Sequence, residues 1–237
     1  MIDKTVLLRE KERYDLPLTI SKKELKLLKK DFPVQKIIGY QEMQNVWINL
    51  KYKVLIPRYE TEELILESYK YINKNSKVLD LGCGSGFIGL AIKKNTDALV
   101  TLVDIDNQAI KQTKYNAKIN NLNVRIIKSN WFKKLNEKYD VIVSNPPYLF
   151  IKNKFDKSLK YEPKRALFAK EKGLREYKNI LQKAYDYLND NGTILFEIDE
   201  YSALWFKNNY SKIQILKDIN NKNRIAILKK EDLLNKN

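Results

Sequence analysis

The sequence predicts an α/β fold built on a doubly wound, mostly parallel sheet of seven strands, and three observations predict it. From about residue 77 short apolar runs alternate with amphipathic stretches, a glycine-rich turn joins the first run to an apolar helix, and the last two runs are too close for a crossover. KVLDL, ALVTLVD, VRIIK, YDVIVSN and TILFEI read as buried strands, because a strand covered on both faces is apolar at successive rather than alternate positions. Between them lie helices, the clearest from Gly173 to Leu188. There Leu174, Tyr177, Leu181, Ala184 and Leu188 recur every three or four residues as one apolar stripe. IQILK and RIAILK, joined by NNKN, complete the sheet as an antiparallel edge hairpin.

Ahead of this core, residues 1–33 read as a reduced N-terminal helical segment with one helix, Ser21 to Lys30, whose Ser21 and Glu24 fit a capping box. Residues 34–58 read as a linker in which VWINLKYKVLIPR makes a small hairpin. Thr61 then precedes an amphipathic helix, EELILESYKYI. The main domain is expected to span 59–230, leaving 231–237 as a tail.

Composition excludes several classes. No apolar run approaches the roughly 20 residues of a membrane span, and the N-terminus lacks an apolar signal core, so a cytoplasmic protein is expected. The single cysteine, Cys83, can form no internal disulfide. With no histidine and no Cys/His cluster there is neither an imidazole base nor a metal site, so catalysis must rest on positioning and preorganised acceptors. The net charge of +16 suggests phosphate binding. Yet only seven of the 45 basic residues are Arg, and 24 Asn accompany them, as an A/T-rich coding bias would produce. Lysine abundance therefore carries little weight, although an acidic or ribosome-associated partner would still be favoured.

Two motifs carry chemistry. KVLDL runs into Gly82-Cys83-Gly84-Ser85-Gly86 and then a helix, the arrangement in which glycine lets a ligand approach the backbone. Gly84, Gly86 and Gly89 also satisfy the dinucleotide fingerprint, so the glycines alone do not separate NAD from S-adenosylmethionine. Asp80, two positions before the first glycine, suits a cationic ligand and would repel a pyrophosphate. Asp104, at the end of the second strand, can accept from both ribose hydroxyls, while Asp106 caps the next helix. The second motif is Asn145-Pro146-Pro147-Tyr148, at the end of the fourth strand. Two prolines pin the backbone so that the Asn145 carboxamide oxygen and the Pro146 carbonyl stand as fixed acceptors for an NH2 group, and Tyr148 can stack on a planar acceptor. Hydrogen bonds to both protons of an amide or amino nitrogen would favour the pyramidal, nucleophilic form.

Together these segments resemble the release-factor glutamine methyltransferases, the HemK-like family of class I, Rossmann-like methyltransferases. The resemblance runs from about Pro33 to Leu228 through PVQKIIGYQE, VLIPRYETEEL, VLDLGCGSGFIGLAI, VIVSNPPYL and YEPKRALFAKEKGL. It implies S-adenosylmethionine as cofactor, peptide chain release factors as protein substrate, and methylation of the glutamine amide in their Gly-Gly-Gln tripeptide. It places the cofactor among Asp80, Gly82, Cys83, Gly84, Gly86, Asp104, Ile105, Asn130, Trp131 and Asn145, with Asn145, Pro146, Pro147 and Tyr148 as the catalytic set. Trp131 reads equally well as core. Arg58 and Glu60 are expected to brace the cleft and Glu162 to order the loop beyond the tetrapeptide.

Three positions depart from the family pattern: Tyr59 where Pro is usual, Asn130 where an acid is usual, and the absence of Gly after the Glu197-Ile198 pair. The N-terminal segment is also shorter than the family's helical bundle. The competing expectation is an adenine-N6 methyltransferase of DNA or RNA, whose acceptor would have to be flipped or single-stranded. A third is a ribosome-binding module without catalysis. A monomer without stable nucleic-acid or membrane partners is expected. A basic rim of Lys22, Lys23, Lys26, Lys29 and Lys30 with Lys152, Lys154, Lys157, Lys160, Lys164 and Arg165 is expected to flank the cleft.

Overall fold

The computed structural model describes residues 2–151 and 155–234. Lys152 and Lys154 of the expected rim, and the last three residues of the expected tail, lie outside the described residues.

Where one helix was expected, the N-terminal segment holds two, α1 (Lys4–Glu12) and α2 (Lys22–Leu28), and with α3 (Val34–Ile38) at the start of the linker they pack around Leu7, Leu28 and Val34. Ser21 caps α2 through the expected capping box with Glu24. The small hairpin lies earlier than the sequence suggested: β1 (Tyr40–Met43) pairs antiparallel with β2 (Val46–Asn49), whereas Leu50 to Arg58 forms no strand. Gln44 and Asn45, with φ of 48° and 61°, supply the two left-handed residues of a tight hairpin turn. Gln at the first position concealed that turn, because Asn or Gly is its usual occupant.

The main domain begins with α4 (Thr61–Ser68) and continues through β3 (Lys77–Leu81), α5 (Phe87–Asn95), β4 (Leu99–Asp104), α6 (Asn107–Ile119), β5 (Arg125–Lys128) and β6 (Tyr139–Ser144). After a loop containing α7 (Lys164–Leu167) come α8 (Arg175–Tyr187), β7 (Leu188–Glu197), α9 (Glu200–Asn209), β8 (Gln214–Lys217) and β9 (Asn223–Lys229). The seven strands lie in the order β5-β4-β3-β6-β7-β9-β8, parallel except for β9, which is antiparallel to both neighbours. The last two strands thus form the expected edge hairpin, with β9 inserted against β7.

Alternate residues of the central strands feed two cores, one on each face. Val78, Val100, Val141 and Val143 pack with Leu64, Leu90 and Ile92 on one face. Leu79, Leu81, Ile142 and Phe196 pack on the other with Tyr177, Ile180, Leu181, Ala184 and Phe206. The stripe read from Leu174 to Leu188 is buried at all five positions, which anchors α8 to the sheet. The chain order reverses between β3 and β6, so the crevice beyond their carboxyl ends is where such a sheet accommodates ligands. Both motifs end there. The Ser144 hydroxyl, at the last position of β6, donates to the Leu81 carbonyl at 2.6 Å and ties the two strand ends together.

Candidate active site

A cavity of about 1190 Å³ opens at this switch point, lined among others by Gly82, Cys83, Gly84, Asp104, Ile105, Asn130, Trp131, Asn145 and Pro147. Nine of the thirteen residues singled out from sequence therefore share one wall. The others, Asp80, Gly86, Pro146 and Tyr148, stand behind it.

The glycine loop turns sharply because Gly82, Gly84 and Gly86 all take left-handed φ, of 77°, 56° and 87°. A side chain at Gly84 would meet only the Gly82 carbonyl, at 4.0 Å, so the backbone is bare towards the cavity. The Trp131 ring stands 3.4 Å from where a Cβ of Gly82 would sit, so Trp131 both packs against the core and lines the cleft. Asn130 lines it beside Trp131. Asp104 accepts from the Gly84 N–H at 2.9 Å through Oδ2 and from the Asp106 N–H at 2.8 Å through Oδ1. Each oxygen keeps a lone pair, and burial holds the carboxyl above its ordinary range. Asp106 caps α6, as expected, by accepting from the Gln108 N–H. Burial likewise pushes the Cys83 thiol well up, which makes it a wall and not a nucleophile.

Asp80 is fully buried. Its Oδ2 accepts from the Gly89 N–H at 2.9 Å, pinning the first turn of α5, and its Oδ1 has no partner. Burial pushes the carboxyl up to about 7, with the charge of Asp104 adding to the rise against the pull of the Gly89 N–H. Between about pH 4, where this group titrates in an unfolded chain, and about 7, the folded protein holds a proton that the unfolded chain has released. Stability of the cofactor-free protein is therefore expected to fall as pH rises through that window. Asp80→Asn keeps an acceptor for Gly89 and removes the titration. Denaturant unfolding should show the variant matching the parent near the bottom of the window and exceeding it above. Parallel stability curves would mean that Asp80 stays ionised throughout.

At the other end of the cleft, the Asn145 side chain donates through Nδ2 to Glu197 Oε2 at 2.8 Å. The tetrapeptide that follows is held from several sides. The Tyr148 hydroxyl donates to Glu197 Oε1 at 3.3 Å, so this ring is turned inward and not into the cleft. Leu149 bridges to Phe168, and Gly173, at φ 95°, passes so close that a Cβ there would lie 2.1 Å from the Tyr148 carbonyl oxygen. Glu162, only 2% exposed, accepts from Arg58 at 2.6 Å and from the Ile56 N–H at 2.8 Å, linking the approach segment to the loop beyond the tetrapeptide. Arg58 thus braces the cleft, and Glu162 ties down the loop beyond the tetrapeptide. Glu60 is exposed and makes no side-chain cap.

Two of the three departures have local explanations. Tyr59 receives the Arg13 guanidinium on both its hydroxyl and its ring face, which fastens the N-terminal segment to the approach segment. Where glycine would follow Glu197-Ile198, Asp199 caps α9 through a capping box with Ser202. Sequence reading overlooked Glu197 and Thr61 as site residues. Glu197 ends a buried parallel strand at the same edge as the tetrapeptide, and that position was the available signal.

A glycine loop with a carboxylate beyond the next strand, opposite a proline-pinned asparagine, at the switch point of this sheet, defines an S-adenosylmethionine-dependent methyltransferase of class I. The bare loop backbone and the spare lone pairs of Asp104 fit that cofactor. Residues 61–162 match the family described as "Methyltransferase small domain". The solved methyltransferase from Pyrococcus furiosus superposes with a TM-score of 0.62 at 19% identity, covering 89% of this chain and 99% of that one, a likeness of fold. The release factor glutamine methyltransferase of Buchnera aphidicola is 39% identical over 84% of this chain and 76% of its own. That of Streptococcus pneumoniae is 44% identical over 70% of this chain, but the match spans only 61% of the relative. The chain belongs to the release factor glutamine methyltransferase family.

Proposed function

We infer that this chain transfers a methyl group from S-adenosylmethionine to the side-chain amide nitrogen of the glutamine in the Gly-Gly-Gln tripeptide of peptide chain release factors. The observation that carries the reading is that Asn145 and the glycine loop line one cavity while the Asn145 NH2 is occupied by Glu197. A carboxylate can only accept, so the amide must present its nitrogen to Glu197 and its oxygen elsewhere. That oxygen is an acceptor for an incoming NH2 group, and the Pro146 carbonyl is proposed as the second.

The cofactor, when bound, supplies an electrophilic methyl on a sulfonium whose departure as a neutral thioether requires no acid. Asp104 would hold the ribose, and Trp131 with Asn130 and Ile105 the adenine. Gly82, Cys83, Gly84 and Gly86 shape the loop, and Asp80 supports it from behind. Asn145 and the proline-fixed backbone orient the acceptor nitrogen and hold both its protons, so the lone pair is directed at the methyl without rearrangement.

The partner would reach the cleft beside a second cavity, of about 650 Å³, lined by Lys36, Lys51, Lys53 and Lys160 together with Phe32, Tyr52 and Tyr161. Lys53 lines both cavities. Tyr161 joins the rim's two segments, donating to the Lys30 carbonyl at 2.9 Å and packing edge-on against Phe32. Mass spectrometry of a release factor incubated with the protein and cofactor tests the reading: one added methyl on the Gly-Gly-Gln glutamine is expected, and methylated adenine in a nucleic-acid arm would replace it. A salt titration belongs in the same experiment. Screening contracts from about 10 Å at 0.1 M to about 3 Å at 1 M, so kcat/KM for the intact factor should fall while that for a Gly-Gly-Gln peptide stays nearly flat. Equal slopes would make the lysines compositional.

A further inference from the structure

We propose that Glu197 is a positioning residue for methyl transfer, acting through Asn145: it dictates which end of the Asn145 carboxamide faces the acceptor. The inference rests on the assignment of Asn145 above as the residue that receives the acceptor NH2.

An asparagine side chain can rotate about its last bond and exchange its oxygen for its nitrogen at little steric cost, since the two are nearly the same size. Against an acceptor NH2 the exchange is disastrous, because donor would then face donor. Something must break the symmetry, and the proline pair cannot, because it fixes only the backbone. Glu197 does so. It is 1% exposed at the carboxyl end of β7. Its Oε2 receives both the Asn145 Nδ2–H, at 2.8 Å, and the Thr61 hydroxyl, at 2.7 Å, while its Oε1 receives the Tyr148 hydroxyl at 3.3 Å. Three donors from two separate segments converge on one buried carboxylate, and two of them belong to the tetrapeptide.

Thr61 completes the arrangement. It opens α4, lines the main cavity, and lies 3.5 Å from Asn145 Nδ2. With its proton committed to Glu197, the Thr61 oxygen is itself left as an acceptor facing Nδ2, so both neighbours of that nitrogen demand a donor. The flipped amide would set its oxygen against a carboxylate oxygen and a hydroxyl oxygen. Burial pushes the Glu197 carboxyl up, and the Thr61 hydroxyl and the charge of Arg224 act against that rise in favour of the ionised form. The start of α4 at Thr61 and the end of β7 at Glu197 thus converge on the Asn145 side chain from positions far apart in the sequence, which is why no local motif reveals the link.

The test is a double-mutant cycle on release-factor methylation, with cofactor affinity read separately by calorimetry. Glu197→Ala should lower kcat by about tenfold to a hundredfold, with the Kd for cofactor unchanged. Glu197→Gln should retain most of the activity, because its oxygen can still receive Nδ2 and Thr61 while its NH2 faces the Tyr148 oxygen. In the Asn145→Ala background, Glu197→Ala should cost nothing further, since a residue acting only through Asn145 has nothing left to act on. If Glu197→Ala does not fold, Glu197→Met, of similar length, takes its place in the cycle. Multiplicative losses in the double variant, or an equal loss in Glu197→Gln and Glu197→Ala, would overturn the proposal. Full activity in Asn145→Ala would instead overturn the assignment of Asn145 on which it rests, so the two failures are distinguishable.

Discussion

Asn145→Ala is expected to lower kcat for glutamine methylation about a hundredfold or more while leaving cofactor affinity nearly intact, the pattern seen when a preorganised contact to a developing charge is removed. The amide nitrogen of glutamine is a poor nucleophile because its lone pair is delocalised into the carbonyl. Attack on the methyl requires the nitrogen to pyramidalise, and its two protons become more acidic as it does so. An acceptor already in place therefore binds the transition state more strongly than the ground state, which is the condition for an effect on kcat and not on KM. Nothing in the fold should compensate. The Asn145 side chain is held by polar contacts to Glu197 and Thr61 at the cavity wall, so its truncation removes no apolar packing from the sheet and leaves the glycine loop standing. Single-turnover methyl transfer at saturating cofactor and substrate gives the rate directly. Normal turnover in the variant would make the tetrapeptide a structural turn.

The fold was legible because its signals are local and redundant. β3, with the glycine loop and α5 behind it, could be read from one stretch of 19 residues, and the α8 stripe from one period. The hairpin of β1 and β2 was misplaced because its turn carries Gln44 at a left-handed position that Asn or Gly usually fills. In the site, residues that form a contiguous motif were found, while those that assemble across the sheet were not. Glu197 lies 52 positions from Asn145 and 136 from Thr61, and its pairing with them depends on β7 lying beside β6, which no short motif encodes. Tyr148 shows the converse: the motif was found, but the direction of its ring is set by Glu197. Asp80 was read as an acid at the glycine loop suited to a cationic ligand. Its carboxylate nevertheless faces α5 and not the cavity, because the Gly89 N–H is the donor within its reach.

Asp104→Ala should weaken cofactor binding by on the order of 2 to 4 kcal/mol, roughly thirtyfold to a thousandfold in Kd. Two losses combine in that figure. The carboxylate would no longer accept from the ribose hydroxyls, contacts strengthened by the charge on the acceptor. The Gly84 and Asp106 N–H groups, now satisfied at 2.9 and 2.8 Å, would also lose their partner beside the cavity. Asp104→Asn is not a gentle alternative. Both carboxylate oxygens accept from backbone N–H groups, so an amide nitrogen at either position sets donor against donor, and the loop must shift or the hydrogen bond must go. The asparagine variant should therefore bind cofactor little better than the alanine one. Asp106→Asn provides the control: its Oδ1 accepts from the Gln108 N–H to cap α6, a role that asparagine fills equally well. Because burial already holds the Asp104 carboxyl above its ordinary range, affinity in the parent should decline on acidification sooner than for an exposed aspartate, and Asp104→Ala should lack that component. Calorimetric titration with cofactor across pH measures both effects. With the cofactor site saturated, turnover in Asp104→Ala should recover towards the parent value, because the acceptor end of the cleft is untouched. An unchanged Kd would mean that Asp104 only buttresses the glycine loop and that the ribose is held by other groups of the wall.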